Sequence, residues 1–157
     1  VGRVCGLLKV SLYNYFPSKK SLAVAAMSRV ASYFREHIFS IASLPDLTPE
    51  QKLSRLSAAT MDYFTNHDGG CLLANLAIEA INSEPELVPV IREYFKSWSA
   101  VYASIYELSG STKDCAARMG QDAVARIQGA LLLGNILSSQ EPLQNALHDL
   151  ASSIHDR

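Results

Sequence analysis

The stretch VSLYNYFPSKKSL, Val10 to Leu22, sets Tyr13, Tyr15 and Phe16 within four residues and follows them with Pro17 and the pair Lys19 and Lys20. Proline disfavours helical backbone in the residue before it, and serine is a strong helix N-cap. The stretch therefore predicts a short helix from about Lys9 to Tyr15, a break at Pro17, and a new helix capped by Ser18. Upstream, VGRVCG predicts a helix ending at Gly6 and a tight turn. The start of the chain thus reads as helix, turn, short helix, then long helix.

Outward from there the apolar residues keep helical spacing, and alternation of period two does not persist. Leu22, Ala26, Val30, Phe34 and Ile38 step by four down one face of a helix expected over Lys19–Phe39. SLPDLTPEQ interrupts it, and Thr48, Pro49 and Gln51 form a capping box with proline at the first helical position. The next helix carries Leu53, Leu56, Thr60 and Phe64 on one side and stops at NHDGG. CLLANLAIEAI is apolar nearly all round and predicts a central, mostly buried helix. Ser83 and Glu86 suggest another capping box, opening a helix to about Leu108. A polar helical stretch around Asp114–Met119 and then QDAVARIQGALLLGNIL follow. Glycines inside a helix cost about 1 kcal/mol each, so Gly129 and Gly134 imply close approach of another helix. The last helix opens near Pro142 with Leu143, Leu147, Leu150 and Ile154 on one face. The class is all-α, with no apolar run long enough to span a bilayer and no signal-peptide layout at Val1; a cytoplasmic protein is expected.

Charge is unevenly spread. Residues 1–35 contain Arg3, Lys9, Lys19, Lys20, Arg29 and Arg35 and no acid, a net +6, while the remaining 122 residues hold the other eight bases and all fifteen acids, a net −7. A basic head on an acidic body is the footprint of one end placed against a polyanion. Cys5, Cys71 and Cys115 have neither disulfide nor zinc spacing and read as thiols packed as small hydrophobes. His37, His67, His148 and His155 form no metal-binding motif, and no phosphate loop or nucleophile elbow is present, so neither enzyme activity, metal nor cofactor is expected.

A short helix after a tight turn suits the DNA major groove, entered by its first residues while flanking groups hold phosphates. Lys9, Ser11 and Asn14 can reach base edges or phosphates, Tyr13 and Tyr15 can donate to phosphates, and Lys19 sits at a helix N-terminus that itself favours an anion. Phe16, with Leu12, is expected to face inward.

Gly6, Tyr13, Asn14, Tyr15, Phe16, Pro17, Ser18, Lys19 and Leu22 together resemble the helix-turn-helix of the TetR family of bacterial transcriptional regulators. GGCLLANLAIEA and the Leu- and Gly-rich final helix pair are similar to that family's regulatory domain. The family's first helix and most of its second lie before the point matched by Val1, so an N-terminal segment completing the motif is expected. The resemblance implies a partial helix-turn-helix over residues 1–22, followed by a helical-bundle ligand-binding and dimerisation domain over 23–157. It implies a homodimeric repressor on a palindromic operator, released by a small, mostly apolar effector that moves the long helix after Leu22.

Aromatic or soft side chains between residues 22 and 108 are the effector-site candidates: Phe34, Met61, Phe64, Trp98 and Tyr102, with Asn75 as a polar anchor. Ordinary core packing competes with that role at each. Gly129, Leu132, Leu133, Ile136, Leu143, Leu147, Leu150 and Ile154 are the candidates for a face taken by a second copy. Glu79, an acid in an apolar helix, is expected to pair with Arg92. The alternative to a repressor is a helical ligand-binding or adaptor module without DNA binding.

Overall fold

The computed structural model describes residues 14–67 and 70–154, apart from the side chains of Ile78, Glu79 and Asn82. No strand occurs among them. Asn14 and Tyr15 are helical, and after the break at Pro17 the helix α1 spans Lys19–Tyr33. Ser18 caps it: Ser21 N–H donates to Ser18 Oγ at 3.0 Å and Ser18 N–H donates to Ser21 Oγ at 3.1 Å. The expected helix to Phe39 does continue, but as a π-helical turn over Phe34–Ile38 and a 3-10 turn over Phe39–Ser43. That change of pitch turns both Phe34 and Phe39 inward. Lys52, itself buried, donates from Nζ to the Ala42 carbonyl at 2.8 Å and satisfies one of the carbonyls left over where the 3-10 turn ends.

Helix α2, Pro49–Thr65, begins at the expected capping box, with Gln51 N–H donating to Thr48 Oγ1 and Thr48 N–H donating to Gln51 Oε1. Its Leu53, Leu56, Thr60 and Phe64 are all buried, as their spacing requires. Helix α3 spans Leu72–Ser83 and is not buried on most faces: Leu73 and Ala80 point inward while Leu72, Asn75 and Ile81 are exposed. Ser83 is the last residue of α3 rather than a cap. A 3-10 turn, Pro85–Leu87, separates it from α4, Val88–Leu108. The polar and apolar halves expected after Thr112 form one helix, α5, Lys113–Leu137, and α6 spans Glu141–Ser152.

Helix α4 packs most extensively on α5, and α6 lies against α2 and α5. Within the chain, the close approach expected of Gly129 and Gly134 is found at Gly120. A Cβ there would run into the Ser99 carbonyl oxygen and lie 3.0 Å from Ala103 N. Gly129 faces open space, and Gly134 packs against the Ser139 carbonyl in the turn that ends its own helix.

At the centre, the Phe34 ring meets Tyr63 at 4.7 Å, Trp98 at 5.3 Å, Tyr94 at 5.4 Å and Phe39 at 5.6 Å. The aromatic core therefore joins the continuation of α1 to α2 and α4. Near its other end, α1 is tied to the turn after α3, where Lys20 pairs with Glu84 at 3.5 Å and also with Glu86.

Candidate functional site

Of the residues expected at a DNA surface, Lys9, Ser11 and Tyr13 lie outside the described residues, as do Leu12 and Cys5. Asn14 and Tyr15 end the short helix with exposed side chains, Tyr15 at 78%. Lys19 is exposed in the first turn of α1, which holds no acid of its own. Phe16 is half-buried. The adjacent lysines differ: Lys20 is engaged with two carboxylates, whereas Lys19 makes no ion pair among the described residues.

The six candidates for an effector site are not brought to one place. Phe34, Trp98 and Tyr102 are fully enclosed in the core, and Asn75 is exposed on α3. Met61 and Phe64 line a cavity of about 310 Å³ where the ends of α2 and α5 meet the start of α6. His67 and Asn135 supply polar groups to its wall. Gly70 closes it with φ +74, a left-handed conformation that favours glycine, and its Cα faces the Asn135 side chain.

What spacing does not disclose is the polarity inside the aromatic core. Tyr94 Oη, Trp98 Nε1, Tyr102 Oη, Ser57 Oγ and Gln128 Nε2 are all buried without a hydrogen-bond partner of good geometry. Ser57 neighbours Tyr102, while Tyr94 and Gln128 neighbour the Cys71 thiol. Burial pushes the Tyr94 and Tyr102 hydroxyls well above the usual phenol range, so they stand as neutral donors. Burial also raises the Cys71 thiol, against the opposing pull of the Ala74 and Leu73 backbone and of the Gln128 and Tyr94 side chains. Each unpaired buried donor costs about 1–3 kcal/mol. Phe34 and Phe39 pack their rings against Tyr94 and Trp98, and Phe64 packs against Trp98, so these donors stand in apolar surroundings. Tyr94, Ser57 and Gln128 had no sequence signal beyond sitting on inward-facing helical positions. The expected pairing of Glu79 with Arg92 falls on a side chain outside the described residues.

The final helix pair divides sharply. Leu132, Leu133 and Ile136 are 61%, 52% and 69% exposed, Leu137 extends the strip, and Gly129 is open beside them. Leu143, Leu147 and Leu150, expected on the same outer face, are instead buried against α2 and α5. They close the chain's own core, because the face of α6 that carries them is the one turned inward. Ile154 is half-buried beside them.

Comparison with known proteins agrees with this architecture. A family model described as "Transcriptional regulator LmrA/YxaF-like, C-terminal domain", from the TetR group, matches residues 49–148. The HTH-type transcriptional regulator YxaF of Bacillus subtilis is 30% identical over 142 residues, covering 88% of this chain and 73% of that protein. A TetR transcriptional regulator from Legionella pneumophila superposes with a TM-score of 0.85 at 18% identity, over 97% of this chain and 82% of that one. The regulatory protein TetR from Rhodobacter sphaeroides does so with a TM-score of 0.81 at 18% identity, over 96% and 83%.

Proposed function

The chain belongs to the TetR family of transcriptional regulators, and from that premise we propose that it is a dimeric repressor that leaves a palindromic operator when a small apolar effector enters its aromatic core. The observation that carries the effector half of this reading is the group of buried donors around Tyr94, Trp98 and Gln128, of which Trp98 Nε1 has no partner and Tyr94 and Gln128 have only the weakly accepting Cys71 thiol beside them. A ligand with acceptor atoms there relieves their desolvation cost only in the conformation that holds it, which is the differential affinity a switch needs. The effector site is thus assigned to Tyr94, Trp98 and Gln128, with Phe34 and Phe64 as its apolar wall, in place of the more scattered set suggested by sequence.

The DNA half rests on the basic first 35 residues and on exposed Asn14, Tyr15 and Lys19. Two recognition helices must match major grooves about 34 Å apart, so a change in their separation lowers operator affinity. A coupling of about 1–3 kcal/mol between effector and operator gives roughly 5- to 150-fold release. Helix α1 is placed to carry it, since its continuation brings Phe34 into the core while Ser18 and Lys19 border the DNA-facing segment.

The test uses the natural full-length protein to select fragments of genomic DNA from its source organism. One enriched palindromic site is expected, lost in a Tyr13→Ala, Lys19→Ala variant. Effectors found by thermal stabilisation should release that site from the wild type and act at least about tenfold more weakly on Tyr94→Phe. A folded dimer that enriches no site would leave the ligand-binding module without DNA binding as the function.

A further inference from the structure

We propose that the outer groove along α4 is a second ligand site, independent of the aromatic core, that takes a monoanionic amphiphile: one carboxylate head on an aliphatic tail. Two hollows meet there and share Arg92 and Phe95. One, of about 540 Å³, is walled by Ala77 and Ile81 of α3 and by Val88, Ile91 and Phe95 at the start of α4. The other, of about 450 Å³, runs between α4 and α5 past Lys96, Ser99 and Gln121. Either falls within the range of small-molecule sites.

The chemistry of the groove is divided in the way an amphiphile is. Its α3 side is apolar, and Ile81, 67% exposed, stands over it without cover among the described residues. Arg92, shared by both hollows, and Lys96, one helical turn on along the second, place two cations along the groove. No carboxylate of the described residues lines either hollow, and neither cation makes an ion pair among those residues. Glu84 and Glu86, in the turn after α3, are drawn to Lys20 instead. Ser99 and Gln121 add a hydroxyl and an amide beside the head. The tail lies along Ile81, Val88 and Phe95, and the carboxylate sits between Arg92 and Lys96. This differs from the core site in sign as well as place, because the core offers neutral donors and this groove offers positive charge.

The experiment titrates the natural full-length protein with dodecanoate below its micelle concentration, followed by calorimetry, with dodecyltrimethylammonium and butyrate as controls of head and tail. Saturable one-to-one binding of dodecanoate is expected, with neither control binding comparably. An Arg92→Glu, Lys96→Glu variant should lose about tenfold or more in affinity, and Ile81→Glu should weaken it too, while Tyr94→Phe binds as wild type. Equal binding of the cationic amphiphile, or undiminished affinity in the charge-reversed variant, would overturn the site. So would loss of binding in Tyr94→Phe with the groove variants unaffected, which would put the amphiphile in the core; saturation only by an acidic helical peptide would replace the small molecule by a protein. Because operator release by a core effector is read separately, failure of the groove leaves the repressor reading standing, and the reverse holds.

Discussion

Helices α5 and α6 carry two leucine stripes that look alike in sequence and have opposite fates. Leu143, Leu147 and Leu150 of α6 are at most 5% exposed, whereas Leu132, Leu133, Ile136 and Leu137 of α5 are all more than half exposed. Periodicity finds an apolar face but not what covers it. The face of α6 is covered by the chain's own α2 and α5; that of α5 is covered by nothing among the described residues. Apolar side chains exposed side by side on one helix are what a stable monomer avoids, and a second copy of the same helix is the cover we propose for them.

The largest effect that could break this contrast comes from truncating one leucine on each helix. Leu147→Ala should cost about 2–5 kcal/mol in urea unfolding of the dilute protein, because it opens a cavity in a closed core. Leu132→Ala should change that stability by less than about 0.5 kcal/mol, as surface substitutions do. The doubly charged variant Leu132→Glu, Ile136→Glu should sediment as a folded monomer at concentrations where the wild type is a dimer. If it stays dimeric, the α5 strip is not the interface.

Next in size is the glycine contrast on α5 itself. Gly120→Ala forces a methyl group into the Ser99 carbonyl, a backbone atom that cannot swing aside, and should cost about 1–3 kcal/mol by overpacking. Its measure is the thermal midpoint. Only a shift of α5 away from α4 could absorb the methyl, so an unchanged midpoint would mean that these two helices are more loosely joined than their packing indicates.

These cases mark what the sequence could disclose. Capping chemistry was legible where side chain and backbone meet locally: Thr48 with Gln51 begins α2, and Ser18 begins α1. The same signal misled at Ser83 and Glu86, because the backbone of α3 continues through Ser83 and the following turn carries no side-chain cap. The all-α class followed from period alone, but the pairing of glycines with neighbours did not, since close approach depends on which helix lies opposite. Phe34, Trp98 and Tyr102 were effector candidates for which core packing was the competing role, and all three are fully enclosed. Their polar companions Ser57, Tyr94 and Gln128 come from three different helices, and only the tertiary arrangement brings them to that core.

A smaller effect probes the inner side of α5, where Gln128 neighbours Cys71. The folded thiol is raised above its ordinary value of 9.0, so above that pH the unfolded chain loses a proton that the folded chain keeps. The folded state then binds more protons than the unfolded one, and stability must fall as pH rises from about 9. Tyr94 and Tyr102, also raised, extend the loss above their ordinary 10.0. Urea midpoints at pH 8, 9 and 10 should decline, and Cys71→Ala should flatten the first part of that decline. A midpoint that rises over this range would mean that the thiol is not enclosed.

The smallest effect is the one whose sign decides most. Gly129 stands on the exposed strip with no atom within 4 Å of where its Cβ would be, so within one chain Gly129→Ala meets nothing and gains helix propensity. The dilute monomer should be stabilised by up to about 1 kcal/mol. In the dimer the same methyl is tolerated only if the partner helix leaves it room. If the proposed partner helix crosses closely at Gly129, beside Leu132 and Leu133, the variant should show a higher unfolding midpoint when dilute and a weaker dimer by sedimentation equilibrium. If both quantities rise together, the helices do not cross at Gly129, and the crossing moves along α5 toward Ile136 and Leu137, the other exposed end of the strip.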